Sequence, residues 1–229
     1  MQIFFSYGQR ITGLSKKGKE FFKVASHSTE TIQNIAVEDV RAWVGFESSL
    51  NIYDDGKVVG DGYMSKDAIN HLFVGHVTRN NDFDCVLACQ DSSIRIMQMN
   101  TMFLDIPTET AVTCVAFMEI EADQSTIKAP TAIVYGLANG TLGLVQVFSN
   151  GEYTMIWSID DGAARSAITC ISIYDIDKDK AMEIVVGRDD GRVEVYKQQP
   201  ETLFAVPYKV FTKNIGEIYR LQLRLFLSC

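Results

Sequence analysis

Three histidines in the whole chain leave little material for acid–base or nucleophilic chemistry. His27, His71 and His76 belong to no Gly-x-Ser-x-Gly or zinc-type motif. His71 and His76 are an odd number of positions apart on an extended segment, so they point to opposite faces. No pair of nucleophile and base can be assembled, and the sequence predicts a protein that is not an enzyme. Basic residues are also scarce: 21 Lys and Arg stand against 29 Asp and Glu, for a net charge of −8. Nucleic-acid binding is excluded as an expectation, because neutralising phosphates takes clustered cations. The densest basic run, Lys16-Lys17-Gly18-Lys19, reads as a solvated turn. No stretch approaches 18 apolar residues, and no basic segment precedes an apolar run at Met1–Gly8, so neither a membrane-spanning helix nor a secretion signal is expected. Helical periodicity is nearly absent.

Cys-x-x-Cys is missing as well. Five cysteines (Cys85, Cys89, Cys114, Cys170 and Cys229) are an odd number, and the first four fall among apolar neighbours in predicted strands. They read as buried reduced thiols, and zinc ligation is not expected. The Asn139-Gly140-Thr141 sequon falls in a predicted hairpin turn, where coincidence is the better reading than glycosylation.

What the sequence does contain is a repeated hairpin. Within Glu183–Gly187, Ile184, Val185 and Val186 form a β-branched run, Asp190-Gly191 supplies a tight turn, and Arg192–Tyr196 alternates with period two. The first strand is expected to lie deeper than the second. The unit recurs at Ala132–Gly136, Asn139-Gly140 and Thr141–Val147. Weaker copies are Val86–Cys89 with Ile94–Met97, Trp43–Gly45 with Leu50–Tyr53, and Phe4–Gly8 with Ile11–Leu14. Aligning Gly8, Gly45, Cys89, Gly136 and Gly187 gives spacings of 37, 44, 47 and 51 residues. That matches the roughly 40 to 50 residues of one propeller blade.

The fold class expected is therefore all-β, a β-propeller of four-stranded antiparallel blades across residues 1–229. Blade units are placed at residues 3–25, 31–63, 69–106, 112–159 and 168–210, with a last strand at 215–227. The first unit holds three strands and lacks its opening strand. Strand boundaries in the other units include Thr31–Val37 and Leu203–Val210, and a polar loop is placed at Glu121–Pro130. Two architectures fit: an incomplete arc of a larger propeller, or a closed five-bladed ring in which the 215–227 strand completes the first blade. The ending Arg220–Cys229 stops in mid-strand, which points to a truncated or alternatively spliced chain. An arc would expose unpaired strands and apolar blade faces.

Two clusters invite a chemical reading. Gly13-Leu-Ser-Lys-Lys-Gly18-Lys19 has phosphate-loop spacing up to the lysine. Glu20, however, stands where a Ser or Thr must reach magnesium, and a strand follows instead of a helix, so a hairpin turn is expected. Asp175, Asp177, Asp179 and Glu183 place oxygens at alternate positions ahead of the Glu183 strand, a pattern that can wrap calcium. The spacing resembles the FG-GAP loops of integrin-type propellers. It departs from them at Lys180, where a glycine is usual, and in carrying two lysines. The alternative is an acidic, solvated turn.

Taken together, Lys16–Phe22, Val86–Asp91 with Ile94–Gln98, Gly140–Gln146 and Val186–Tyr196 resemble the N-terminal propeller of the Bardet-Biedl syndrome seven family. The most specific pieces are Ala88-Cys-Gln-Asp91 and Gly187-Arg-Asp-Asp-Gly191. The resemblance covers most of residues 3–210. It implies a seven-bladed propeller followed by a coiled coil and further domains, and a subunit of the BBSome, the coat that carries membrane proteins into and out of cilia. On that resemblance the chain is a non-enzymatic scaffold. Its partners are other BBSome subunits and ciliary membrane-protein cargo, its membrane association is peripheral through the complex, and its locations are cytoplasm, basal body and cilium. The alternatives are a calcium-binding FG-GAP-type or other WD40-like propeller adaptor, or a propeller enzyme.

Overall fold

The computed structural model describes residues 3–26, 28–78, 82–119, 131–160, 166–179, 181–197 and 207–214. Among them the chain forms antiparallel β-meanders only. The first sheet holds Ile3–Tyr7 (β1), Arg10–Leu14 (β2) and Glu20–Ala25 (β3). The second holds Asn34–Glu38 (β4), Arg41–Gly45 (β5), Ser49–Asp54 (β6) and Lys57–Met64 (β7). Next come Ile69–Gly75 (β8), Asp84–Cys89 (β9), Ser93–Gln98 (β10) and Thr101–Pro107 (β11). The fourth sheet is Val112–Glu119 (β12), Thr131–Leu137 (β13), Leu142–Val147 (β14) and Tyr153–Ile159 (β15). The fifth is Ile168–Tyr174 (β16), Glu183–Arg188 (β17), Arg192–Lys197 (β18) and Tyr208–Asn214 (β19).

The hairpins have local causes. Asp55 and Gly56 both take positive φ (46° and 78°), the two-residue turn whose twist suits β6 and β7. In the longer turns between second and third strands, one left-handed position recurs as Ser92, Gly140 and Gly191 (φ 60°, 89° and 83°). The phosphate-loop lookalike is the hairpin turn between β2 and β3: Gly13 and Leu14 end β2, and Ser15 N donates to the Lys19 carbonyl.

Each pair of neighbouring blades closes its own core. Ile11, Phe22 and Val24 meet Ala42, Val44, Phe46 and Tyr53 between blades one and two. Trp43, Leu50 and Ile52 meet Leu72, Leu87 and Met97 at the next junction. Ala88, Ile94 and Ile96 then face Tyr135, Leu137 and Val145, and Val134, Leu144 and Trp157 face Ile184, Val186 and Tyr196. Successive residues of one strand therefore serve two different junctions, which is why β9 and β14 are buried throughout. β17 is more deeply buried than β18, in keeping with its β-branched run.

The first strands β4, β8, β12 and β16 touch in succession, so they form the inner row. β1 touches β4 in the way that β5 touches β8 and β13 touches β16, so β1 is a second strand, and among the described residues the first blade shows no inner one. Three details of the sequence reading are corrected. Gly8 does not share an environment with the other glycines: it lies in the β1–β2 turn at φ 58° with nothing within 4 Å of a Cβ placed there. The pairing registers put Ser6, Gly45, Ala88, Gly136 and Gly187 at the shared position, so in the third blade Ala88 replaces Cys89. A small residue is required there because the first strands press on it; a Cβ on Gly136 would stand 2.5 Å from Ile168 Cγ2. β4 begins at Asn34 where Thr31 was expected. In the fifth blade β19 begins at Tyr208, and residues 203–206 of the strand expected from Leu203 lie outside the described residues. Residues 120–130 and 215–227, on which the polar loop and the ring-closing strand depend, lie outside the described residues.

Candidate interaction sites at the blade junctions

A polar ladder runs along the inner row. The register of the first strands skips Asn70, Thr113 and Thr169, each a one-residue bulge against the second strand. A bulge re-aims its side chain out of the ladder. Asn70 Nδ2 donates to the Val112 carbonyl of the next blade (2.8 Å), and Thr113 Oγ1 donates to the Ile168 carbonyl of the blade after that. Asn34 Nδ2 reaches the Asn70 carbonyl at 3.5 Å. Sequence reading missed this ladder. Its signal is a hydrogen-bonding Asn or Thr directly after the apolar residue that opens the strand, in Ile69-Asn70, Val112-Thr113 and Ile168-Thr169.

Two junctions carry a buried arginine. At the second, Arg95 is 2% exposed, donates to Ser65 Oγ of the preceding blade (2.9 Å) and pairs with Asp91. At the fourth, Arg188 is 1% exposed. Its Nε donates to Glu194 Oε2 (2.7 Å), and Nη1 donates to the Gly140 and Ser166 carbonyls (3.0 Å each). Tyr196 Oη also donates to Glu194 Oε2 (2.9 Å), while Lys209 Nζ serves Oε1 (2.8 Å). Burial alone would raise the Glu194 carboxyl; donors from Lys209, Arg188 and Tyr196 outweigh it and hold the group below its ordinary value.

The third junction differs. Registers equate Leu137 with Arg188, because each pairs with the residue that opens its inner strand. They equate Gly143 with both Arg95 and Glu194, through Tyr135↔Gly143, Leu87↔Arg95 and Val186↔Glu194. Here the Tyr135 ring lies over Gly143 where a side chain would stand. A cleft of about 460 Å³ opens beside it, lined by residues that include Glu109, Tyr135, Leu137, Met155 and Trp157.

Of the calcium candidates, the fold brings one carboxylate oxygen each of Asp175, Asp177 and Glu183 within 4.8 Å of one another. Asp179 is turned to its own loop, accepting from Ala181 N (2.8 Å), and to Lys197. The sequence did not reveal that Lys197, on β18, ends among these acids: Nζ lies 2.7 Å from Asp177 Oδ2 and 3.4 Å from Glu183 Oε1, and pairs with Asp179. Hydrogen bonds to Asp177, then Asp179, raise the lysine's pKa well above its ordinary value. Glu183 is 3% exposed and its Oε2 accepts from Ile176 N (2.8 Å), which pins the loop to the strand that follows.

Cys85, Cys89 and Cys114 are buried free thiols, and Cys170 is half-buried and free. Burial pushes Cys89 up to about 11 and Cys114 to about 12. His71 receives Val115 N at 3.4 Å, and His76 stacks on Phe83 with centroids 4.2 Å apart. Asn139 sits in the β13–β14 turn, its Nδ2 3.5 Å from Glu109 Oε2.

These meanders, packed face to face around an inner row of strands, define a protein of the WD40-like β-propeller class. The WD40 propeller domain of Doa1 superposes with a TM-score of 0.62 at 11% identity, over 90% of this chain and 62% of that one. Residues 1–218 match the BBS7 beta-propeller family, and the chain belongs to that family. It is 30% identical over 195 residues to the mouse BBSome complex member BBS7, and 23% identical over 198 residues to the worm BBSome complex member bbs-7. In each case the match spans 85% of this chain and 26% of the relative, so the chain corresponds to about a quarter of their length.

Proposed function

We propose that the chain is a non-enzymatic scaffold of the BBSome type, contributing propeller surfaces to a coat that moves membrane proteins to and from cilia. The single observation that carries this reading is membership of the BBS7 propeller family over residues 1–218. The geometry is in keeping with it. Of the deeply buried polar side chains, Arg95 and Arg188 reach oxygens of the preceding blade, Glu194 holds Arg188, and Asp84 holds Thr78 within its own blade, so each has its partners inside the fold. Other BBSome subunits are the partners, the location is cytoplasm and ciliary base, and contact with membrane and cargo runs through the complex. The acidic loop at Asp175, Asp177, Asp179 and Glu183 is a lysine-neutralised turn in this reading, with calcium as the competing occupant. Affinity isolation of the tagged chain from ciliated cells, probed for the other BBSome subunits, tests the scaffold. Recovery that is lost on deleting residues 131–210 supports it, and a chain that brings down none of these subunits overturns it.

A further inference from the structure

We propose that the cleft between the third and fourth blades is a docking site for an arginine side chain presented by a partner protein. The argument starts from what the chain does at the two flanking junctions. Both are closed by an arginine that is almost wholly buried, Arg95 on one side and Arg188 on the other. Each crosses to an oxygen of the preceding blade, Ser65 Oγ and the Gly140 carbonyl respectively. At the intervening junction the equivalent positions hold Leu137 and Gly143, and neither can supply a cation. The cleft of about 460 Å³ opens at this place.

Its lining divides as an arginine requires. Leu137, Met155 and Trp157 form an apolar wall for the three-carbon stem, and Glu109, Thr108 and Tyr135 supply oxygens for the head. Among the described residues that line it, Glu109 alone is charged, and it is exposed at the rim, where an incoming cation meets it first. The Tyr135 hydroxyl touches the Met155 sulfur at 3.9 Å, a weak contact that a guanidinium donor can replace. Burial first, then the charge on Glu109, raises the Tyr135 pKa, so the hydroxyl stays neutral and lies within the field of that carboxylate. A guanidinium fits better than an ammonium: it is planar, less strongly hydrated and able to serve several oxygens at once. A net charge of −8 favours the encounter.

The inference extends the scaffold reading by naming the chemistry of one contact. Its test uses the chain and a peptide alone, so it stands or falls separately from recovery of BBSome subunits. Acetyl-Leu-Arg-Leu-amide and its citrulline analogue, which keeps the shape and loses the charge, are titrated into the 229-residue chain. Binding is followed by the Met155 methyl resonance. The arginine peptide is expected to shift that resonance and to bind roughly tenfold more tightly than the citrulline one. Glu109→Gln removes the preference. Leu137→Arg, which supplies the cation from within, blocks the peptide; should that buried substitution fail to fold, the exposed Glu109→Gln decides alone. Equal affinity for the two peptides, a preference that survives Glu109→Gln, or no movement of Met155 overturns the proposal.

Discussion

Arg188 Nη1 lies 3.0 Å from the Gly140 carbonyl oxygen, so a side chain of the fifth blade closes the hairpin turn of the fourth. The same guanidinium holds Glu194, which is fully buried. Removing the guanidinium leaves Glu194 buried with Tyr196 and Lys209 as its hydrogen-bond donors, and leaves the Gly140 carbonyl without its cross-blade donor. Arg188→Met is therefore expected to cost about 3–5 kcal/mol. Arg188→Met combined with Glu194→Leu should recover part of that, because the buried carboxylate goes with the cation, while Lys209 and Tyr196 still lose their acceptor. Urea unfolding of the two single variants and the double variant measures the coupling.

The same pair sets an acid limit. The native Glu194 carboxyl titrates below its ordinary value of 4.5, so it stabilises the fold at pH above that value. This contribution is lost as pH falls from 4.5 through the lower native pKa. The unfolding free energy of the native chain minus that of Glu194→Gln should be constant from neutrality to about pH 5 and shrink below it. A difference that stays constant into acid would show that Glu194 does not titrate with folding.

Blade number and hairpin positions were legible in the sequence because turn chemistry is local. Asp55-Gly56, Asn139-Gly140 and Asp190-Gly191 announce turns without reference to anything distant, and the alternation beside them gives the strands. The junctions were not legible. Arg95 and Arg188 look like surface charges in a strand, and only the register shows that each faces a neighbouring blade. Lys197 joins the acidic loop for the same reason: β17 and β18 pair Glu183 with Lys197, a cross-strand relation with no sequence spacing to betray it. The Gly8 misalignment has a related cause, since a turn glycine and a close-packing glycine are the same letter.

Gly136 gives a stability prediction of the opposite kind. An added methyl would meet Ile168 Cγ2 at 2.5 Å and Cys114 Sγ at 3.0 Å, both on inner strands that have no room to retreat. Gly136→Ala is expected to destabilise by about 1–3 kcal/mol through overpacking. Ala88, at the same position of the third blade, already carries that methyl, so Ala88→Gly should lose only about 1 kcal/mol, from backbone entropy. Equal effects in denaturant titrations would show that inner-strand packing is not what selects small residues there.

Lys197 makes the last prediction. Its ammonium lies among Asp177, Asp179 and Glu183, the place a hard cation would take if those acids were to wrap one. Calcium must displace it, because a divalent ion and an ammonium cannot share the same oxygens. Millimolar calcium should therefore leave the melting temperature of the native chain unchanged, since an ion that does not bind the native state cannot stabilise it by mass action. In Lys197→Gln the acids lose their cation and repel one another, so this variant should melt lower and recover with added calcium but not with equal ionic strength of sodium chloride. Asp177→Ala in the Lys197→Gln background should abolish the recovery. A calcium-dependent rise in the native chain would mean that the lysine yields its place and that the loop is a metal site after all.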